Sequence, residues 1–151
     1  MLLNNYNINE ETIYELGCFA VLWANFERDF CNNNCDEAKI NNVATTIIIN
    51  EESIANLHRV ANNRTIKLAG SVNSYVNHNL LPSGARHPRP TAKEKIRNFI
   101  NNYEGNEEGC LLYIYRIRNN LMHGLKDISD LNNQIELFKA INEVLENIKR
   151  K

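Results

Sequence analysis

Proline is almost missing from this chain. Its 151 residues hold three, Pro82, Pro88 and Pro90, all within one short segment, and glycine is nearly as scarce at six. Long stretches are therefore free of the residues that most strongly interrupt a helix. Extended apolar runs are missing too: none reaches the ~18 residues of a membrane span. The start "MLLNNYNINEE" has neither the basic opening nor the apolar stretch of a secretion signal. These absences point to a cytoplasmic protein with no membrane partner. An excess of one charge is likewise lacking, with 17 Lys and Arg against 18 Asp and Glu and a net charge of -1. No overall field draws the chain to nucleic acid. Any such role must rest on a local basic cluster, or on two chains pooling theirs.

What is present fits one helical domain spanning residues 1–151, with a hydrophobic fraction of 43% and a chain long enough to bury a core unaided. The four cysteines, Cys18, Cys31, Cys35 and Cys110, are expected to be reduced thiols in a cytosolic protein. "CNNNC" offers two metal ligands, but Cys18 and Cys110 are distant and no histidine follows at finger spacing, so no metal is expected.

A first helix should open near Asn9, with Glu10 and Glu11 at its positive end, and bury Ile13, Leu16, Ala20, Trp23 and Phe30. A second runs from Asp36. Its "TTIII", Thr45 to Ile49, is β-branched, yet a lone strand has no visible partner, so it reads as buried helix. Asn50 marks a new start or a kink, and the following period runs through Ile54, Leu57, Val60, Ala61 and Leu68. The loop "LLPSGARHPRPT" is followed by a capping-box pair, Thr91 and Glu94. A helix from about Asn106 to His123 comes next. Asp130 then caps a last helix with the stripe Leu131, Ile135, Leu137, Phe138, Ile141, Leu145 and Ile148. The sum is an all-α bundle of about five helices.

The penultimate helix carries the chemistry. Its apolar "CLLYIY" runs into "RIRNNLMHGLK". Helical spacing puts Cys110, Ile114, Ile117, Leu121 and Leu125 on a core face, with Leu112, Tyr115, Asn119 and Met122 on a second strip. Arg118 and His123 frame that strip, ~140° apart and ~7.5 Å along the axis. Arginine stays charged and binds phosphate in two-pronged fashion. Histidine moves protons near neutrality. Asparagine orients a hydroxyl without adding charge. That set suits RNA cleavage by its own 2′-hydroxyl, which needs no metal or other cofactor, especially if two copies face each other. The same residues also make an ordinary helix ending, in which a histidine before glycine meets the negative pole.

The string "YRIRNNLMHGLK" resembles the signature of the HEPN superfamily, small α-helical domains named for nucleotide binding in prokaryotes and higher eukaryotes. Their motif is an arginine, four to six residues and a histidine, often with a polar residue directly after the arginine. Arg118, His123 and Asn119 fit it, and the "HG" and lysine that follow resemble many members. "LWANFERDF" is similar to the first helix of some of these proteins. The specific resemblance covers about a dozen residues, and the helical layout is compatible with it. It implies an enzyme: a metal-independent endoribonuclease with its active site across a homodimer, as in toxin–antitoxin and phage-defence systems. Arg118 and His123 would be catalytic, supported by Asn119. Arg116, beside His123 on the helix, and Lys126 would hold RNA backbone. The departure is Leu125. It stands where toxins silenced by adenylylation carry a tyrosine, which puts that mode of control by an antitoxin in doubt. In "ARHPRPTAKEKIR", Arg86 and Arg89 form part of a basic cluster that fits RNA backbone, or equally a solvated loop. The alternative to an enzyme is a non-catalytic module of the same kind that binds nucleotide or RNA, or scaffolds a larger assembly.

Overall fold

The computed structural model describes residues 7–80, 89–122 and 128–151. Among them are seven α-helices: α1 (Glu10–Phe30), α2 (Glu37–Ala44), α3 (Glu51–Ala69), α4 (Val72–Ser74), α5 (Pro90–Asn101), α6 (Glu107–Met122) and α7 (Ile135–Glu146). A π-helical turn, Tyr75–Asn79, extends α4, and a 3-10 segment, Ile128–Gln134, leads into α7. The all-α class is as expected. The helix count is higher because glycine and asparagine caps divide runs that periodicity alone leaves joined. Gly70, at φ +74°, closes α3 in the left-handed region. Asn50 opens it, its Oδ1 accepting the Ser53 N–H at 3.0 Å. Asp36 opens α2 likewise, accepting the Lys39 N–H at 2.7 Å.

Three local expectations are corrected. "TTIII" is not helix: Ile47–Ile49 forms β1, paired antiparallel with β2 (Ile148–Arg150) at the other end of the chain, Ile49 opposite Ile148. Ile47 and Ile49 point inward and Ile48 outward, the two-residue alternation of a half-buried strand. The missing partner lay some hundred residues away, inside what read as the last helical stripe. Second, α5 begins at Pro90 with Arg89 as its N-cap rather than at Thr91, since proline suits the first helical position. Third, the start expected at Asp130 is 3-10 helix, and α7 proper starts five residues later at Ile135.

The cysteine expectation changes as well. The Cys31 and Asn33 N–H groups both donate to the Glu27 carbonyl, and Asn32 and Asn33 take positive φ. The chain thus doubles back after α1, and Cys31 and Cys35 join in a disulfide. Cys110 is fully buried, and burial pushes its thiol pKa up, which suppresses the reactive thiolate. Alkylation of native, unreduced protein is expected to label Cys18 alone. Unfolding should add Cys110, and only reduction should add the remaining pair. Four labels on unfolded, unreduced protein, counted by mass, would contradict the disulfide.

α6 is the central helix. Cys110, Leu111, Tyr113 and Ile114 have no exposed surface, and Leu112 is 3% exposed. The expected division into a core face and an outer strip therefore fails over these turns, because α2 and α5 cover the second side. Phe99 of α5 packs on Tyr113 with ring centroids 5.8 Å apart, and the Tyr113 and Tyr75 hydroxyls share a buried hydrogen bond. On the other flank α7 packs against α1 and α3, with Phe19 against Phe138. The buried stripe of α1 is Thr12, Phe19, Trp23 and Phe26, whereas Ile13 and Ala20 are exposed. In α3, Thr65 is buried in place of the expected Leu68. No helix among the described residues is long and apolar enough to cross a membrane.

Candidate functional site

α6 leaves the core only at its last turns. Ile117 is still buried, whereas Arg118, Asn119 and Asn120 are half-exposed. Asn120 turns back and donates to the Leu80 carbonyl, fixing the direction of the helix end. Arg118 points toward α1. Its Nη1 donates to Asn119 Oδ1 at 3.2 Å, and its Nη2 lies 3.9 Å from Glu27 Oε1. Glu27 is itself positioned, because its Oε2 accepts the Cys35 N–H at 3.0 Å. The loop closed by the disulfide thus holds the carboxylate that steers the guanidinium. The Arg118 side chain is 36% exposed, so solvent screens the pair and the contact orients the arginine more than it stabilises the fold.

Between α1 and α6 lies a cleft of about 200 Å³, with Arg118 and Glu27 among its lining residues. Its walls are Leu16, Phe19, Ala20, Ala24 and Leu121, together with Trp23. The Trp23 ring packs near Phe26 and Tyr115, with centroids at 5.2 and 6.1 Å, and is 3% exposed. Its indole N–H has no hydrogen-bond partner among the described residues. Trp23 and Glu27 did not stand out in the sequence as site residues. The signal was there in outline: they sit one turn apart in "LWANFERDF", on the face that Leu16 and Ala20 continue.

The structure brings Arg118 and Asn119 together. His123, Lys126 and Arg86 lie outside the described residues. Arg116 is 5% exposed, and loss of hydration lowers its guanidinium pKa, an effect that the nearby Glu37 carboxylate opposes. Arg89 lines a different cleft, of about 320 Å³, between α2 and α5. There it lies 4.0 Å from Glu37, and Lys95 pairs with Glu108 at 3.2 Å. Part of the basic cluster read from the sequence is thus locally neutralised.

No family model, no curated protein and no solved structure matches this chain. The chemistry of the cleft is that of its side chains. Arg118 supplies a permanent cation with directed N–H groups, suited to a phosphate and to the charge that grows on one during transfer. Asn119 holds one edge of that guanidinium, and Glu27 lies 3.9 Å from another of its nitrogens. Among the described residues, no group of three or more His, Cys, Asp or Glu side chains is gathered as a metal site requires.

Proposed function

We propose that this chain is a metal-independent endoribonuclease of the HEPN type, acting as a homodimer in a defence or toxin–antitoxin setting. One observation carries the reading. Where the central helix emerges from the core, Arg118 lines a cleft and is bonded to Asn119, with His123 next in sequence after the helix. In this scheme an imidazole takes the proton of a ribose 2′-hydroxyl, and its oxygen attacks the adjacent phosphorus. The Arg118 guanidinium balances the charge on the phosphoryl oxygens. The bond to the 5′-oxygen breaks, and a protonated imidazole from the second copy supplies the proton that this oxygen needs. The products are a 2′,3′-cyclic phosphate and a 5′-hydroxyl. Lys126, Arg86 and Arg89 are the proposed holders of flanking backbone.

The Glu27 carboxylate 3.9 Å from Arg118 opposes an anion there, which favours the scaffolding form of a second reading, a non-catalytic module that binds nucleotide or RNA or scaffolds an assembly. Parallel binding and cleavage assays on end-labelled RNA separate the two. Scission by wild type that disappears in Arg118→Ala supports the nuclease. Binding without scission supports the module.

A further inference from the structure

We infer that the cleft between α1 and α6 is a slot for one unstacked nucleobase of the RNA, beside the phosphate that Arg118 holds. This deepens the ribonuclease reading and rests on it for the nature of the ligand. The first support is size. The cleft encloses about 200 Å³, below the ~300–1,000 Å³ of sites for drug-sized molecules and suited to a single planar ring system. The second is the wall. Phe19, Leu16, Leu121 and the exposed methyl groups of Ala20 and Ala24 present apolar surface, which accepts the face of a base and disfavours a strongly hydrated group.

The third support is the orphan donor. Trp23 lines the slot at 3% exposure, and its indole N–H has no partner among the described residues. Buried donors are nearly always paired, and every nucleobase carries oxygen or nitrogen acceptors able to take such a bond. An aliphatic side chain from another protein fills the same volume but brings no acceptor for that N–H and no phosphate for the Arg118 N–H groups. Single-stranded RNA meets both demands, because its bases splay onto aromatic and apolar side chains while cations hold the backbone. Trp23, Ala20 and Ala24 are thus assigned to base selection, and Arg118 to the adjoining phosphate.

Trp23 is the chain's one tryptophan, so indole emission reports on the slot directly. The 5′-monophosphates of adenosine, guanosine, cytidine and uridine are titrated into wild type, Ala24→Leu and Arg118→Ala, with ribose 5-phosphate as the base-free control. Ala24 faces the cleft and is exposed, so leucine there fills the slot without entering the core. At least one nucleotide is expected to shift wild-type emission saturably, and ribose 5-phosphate is not. Ala24→Leu should weaken that nucleotide about tenfold or more. Arg118→Ala should require higher concentration yet give the same final shift. The slot is overturned if no nucleotide moves the emission, if Ala24→Leu binds as tightly as wild type, or if Ala24→Leu changes only the oligomeric state, which would put a second copy in the cleft. RNA cleavage measured alongside separates the two claims. Scission without any nucleotide-dependent shift removes the slot and keeps the nuclease. A shift without scission does the reverse.

Discussion

His123→Ala is expected to slow RNA cleavage by about 10²–10⁴-fold, the usual loss when a positioned acid or base is removed. Arg118→Ala is expected to cost about 10²–10³-fold, as for other groups that balance charge in a transition state. Both proteins should keep the helical spectrum and the melting transition of wild type. For Arg118 the reason is its exposure and its weak pairing. Its side chain is 36% exposed and its partner Glu27 lies 3.9 Å away, so the lost pair is worth less than ~1 kcal/mol. Arg118→Lys is the sharper control. It keeps the charge but loses the planar fork that grips two phosphate oxygens and the Asn119 amide, so it should recover only part of the rate. Variants of Arg118 and His123 that cut RNA at the wild-type rate, with contaminating nuclease excluded, would remove both residues from catalysis.

Gly109→Ala is expected to destabilise the protein by about 1–3 kcal/mol through overpacking. A Cβ at Gly109 would overlap the Lys95 carbonyl oxygen and come within 2.9 Å of Phe99 Cβ. The obstacle is backbone, not the end of a flexible side chain, so α5 and α6 must move apart. That separation would loosen Phe99 from Tyr113, whose ring centroids are 5.8 Å apart. Gly17→Ala is the matched comparison. It lies within α1, and its Cβ would meet nothing within 4 Å, so the gain in helix propensity should stabilise by about 0.5–1 kcal/mol. Chemical denaturation of both variants reads the pair. A stabilising Gly109→Ala would mean that α5 and α6 do not approach as described.

The legible part of this fold was the part governed by local rules. Asn50 and Asp36 open helices as their side chains dictate, and Ile54, Leu57 and Ala61 are buried at helical spacing. What escaped was long-range. β1 exists because a partner strand arrives from residues 148–150, and nothing near "TTIII" could announce it. The disulfide depends on two asparagines turning the chain back after α1. Arg116 read as surface because helical spacing says which way a side chain points but not what stands in that direction. At the site, Arg118 and Asn119 were legible from their type and spacing. Trp23 and Glu27 were not, since their relation to Arg118 comes from how α1 and α6 pack, and Trp23 passes for an ordinary core aromatic until the cleft beside it is seen.

The central claim is that RNA is cut by its own 2′-hydroxyl with help from side chains alone. The most direct test is to incubate wild-type protein with labelled RNA in EDTA and identify the new ends. Fragments ending in 2′,3′-cyclic phosphate, with 5′-hydroxyl on the other side of each cut, are the expected result. Intact RNA in EDTA with scission restored by a divalent cation, or fragments with 3′-hydroxyl ends, would contradict it.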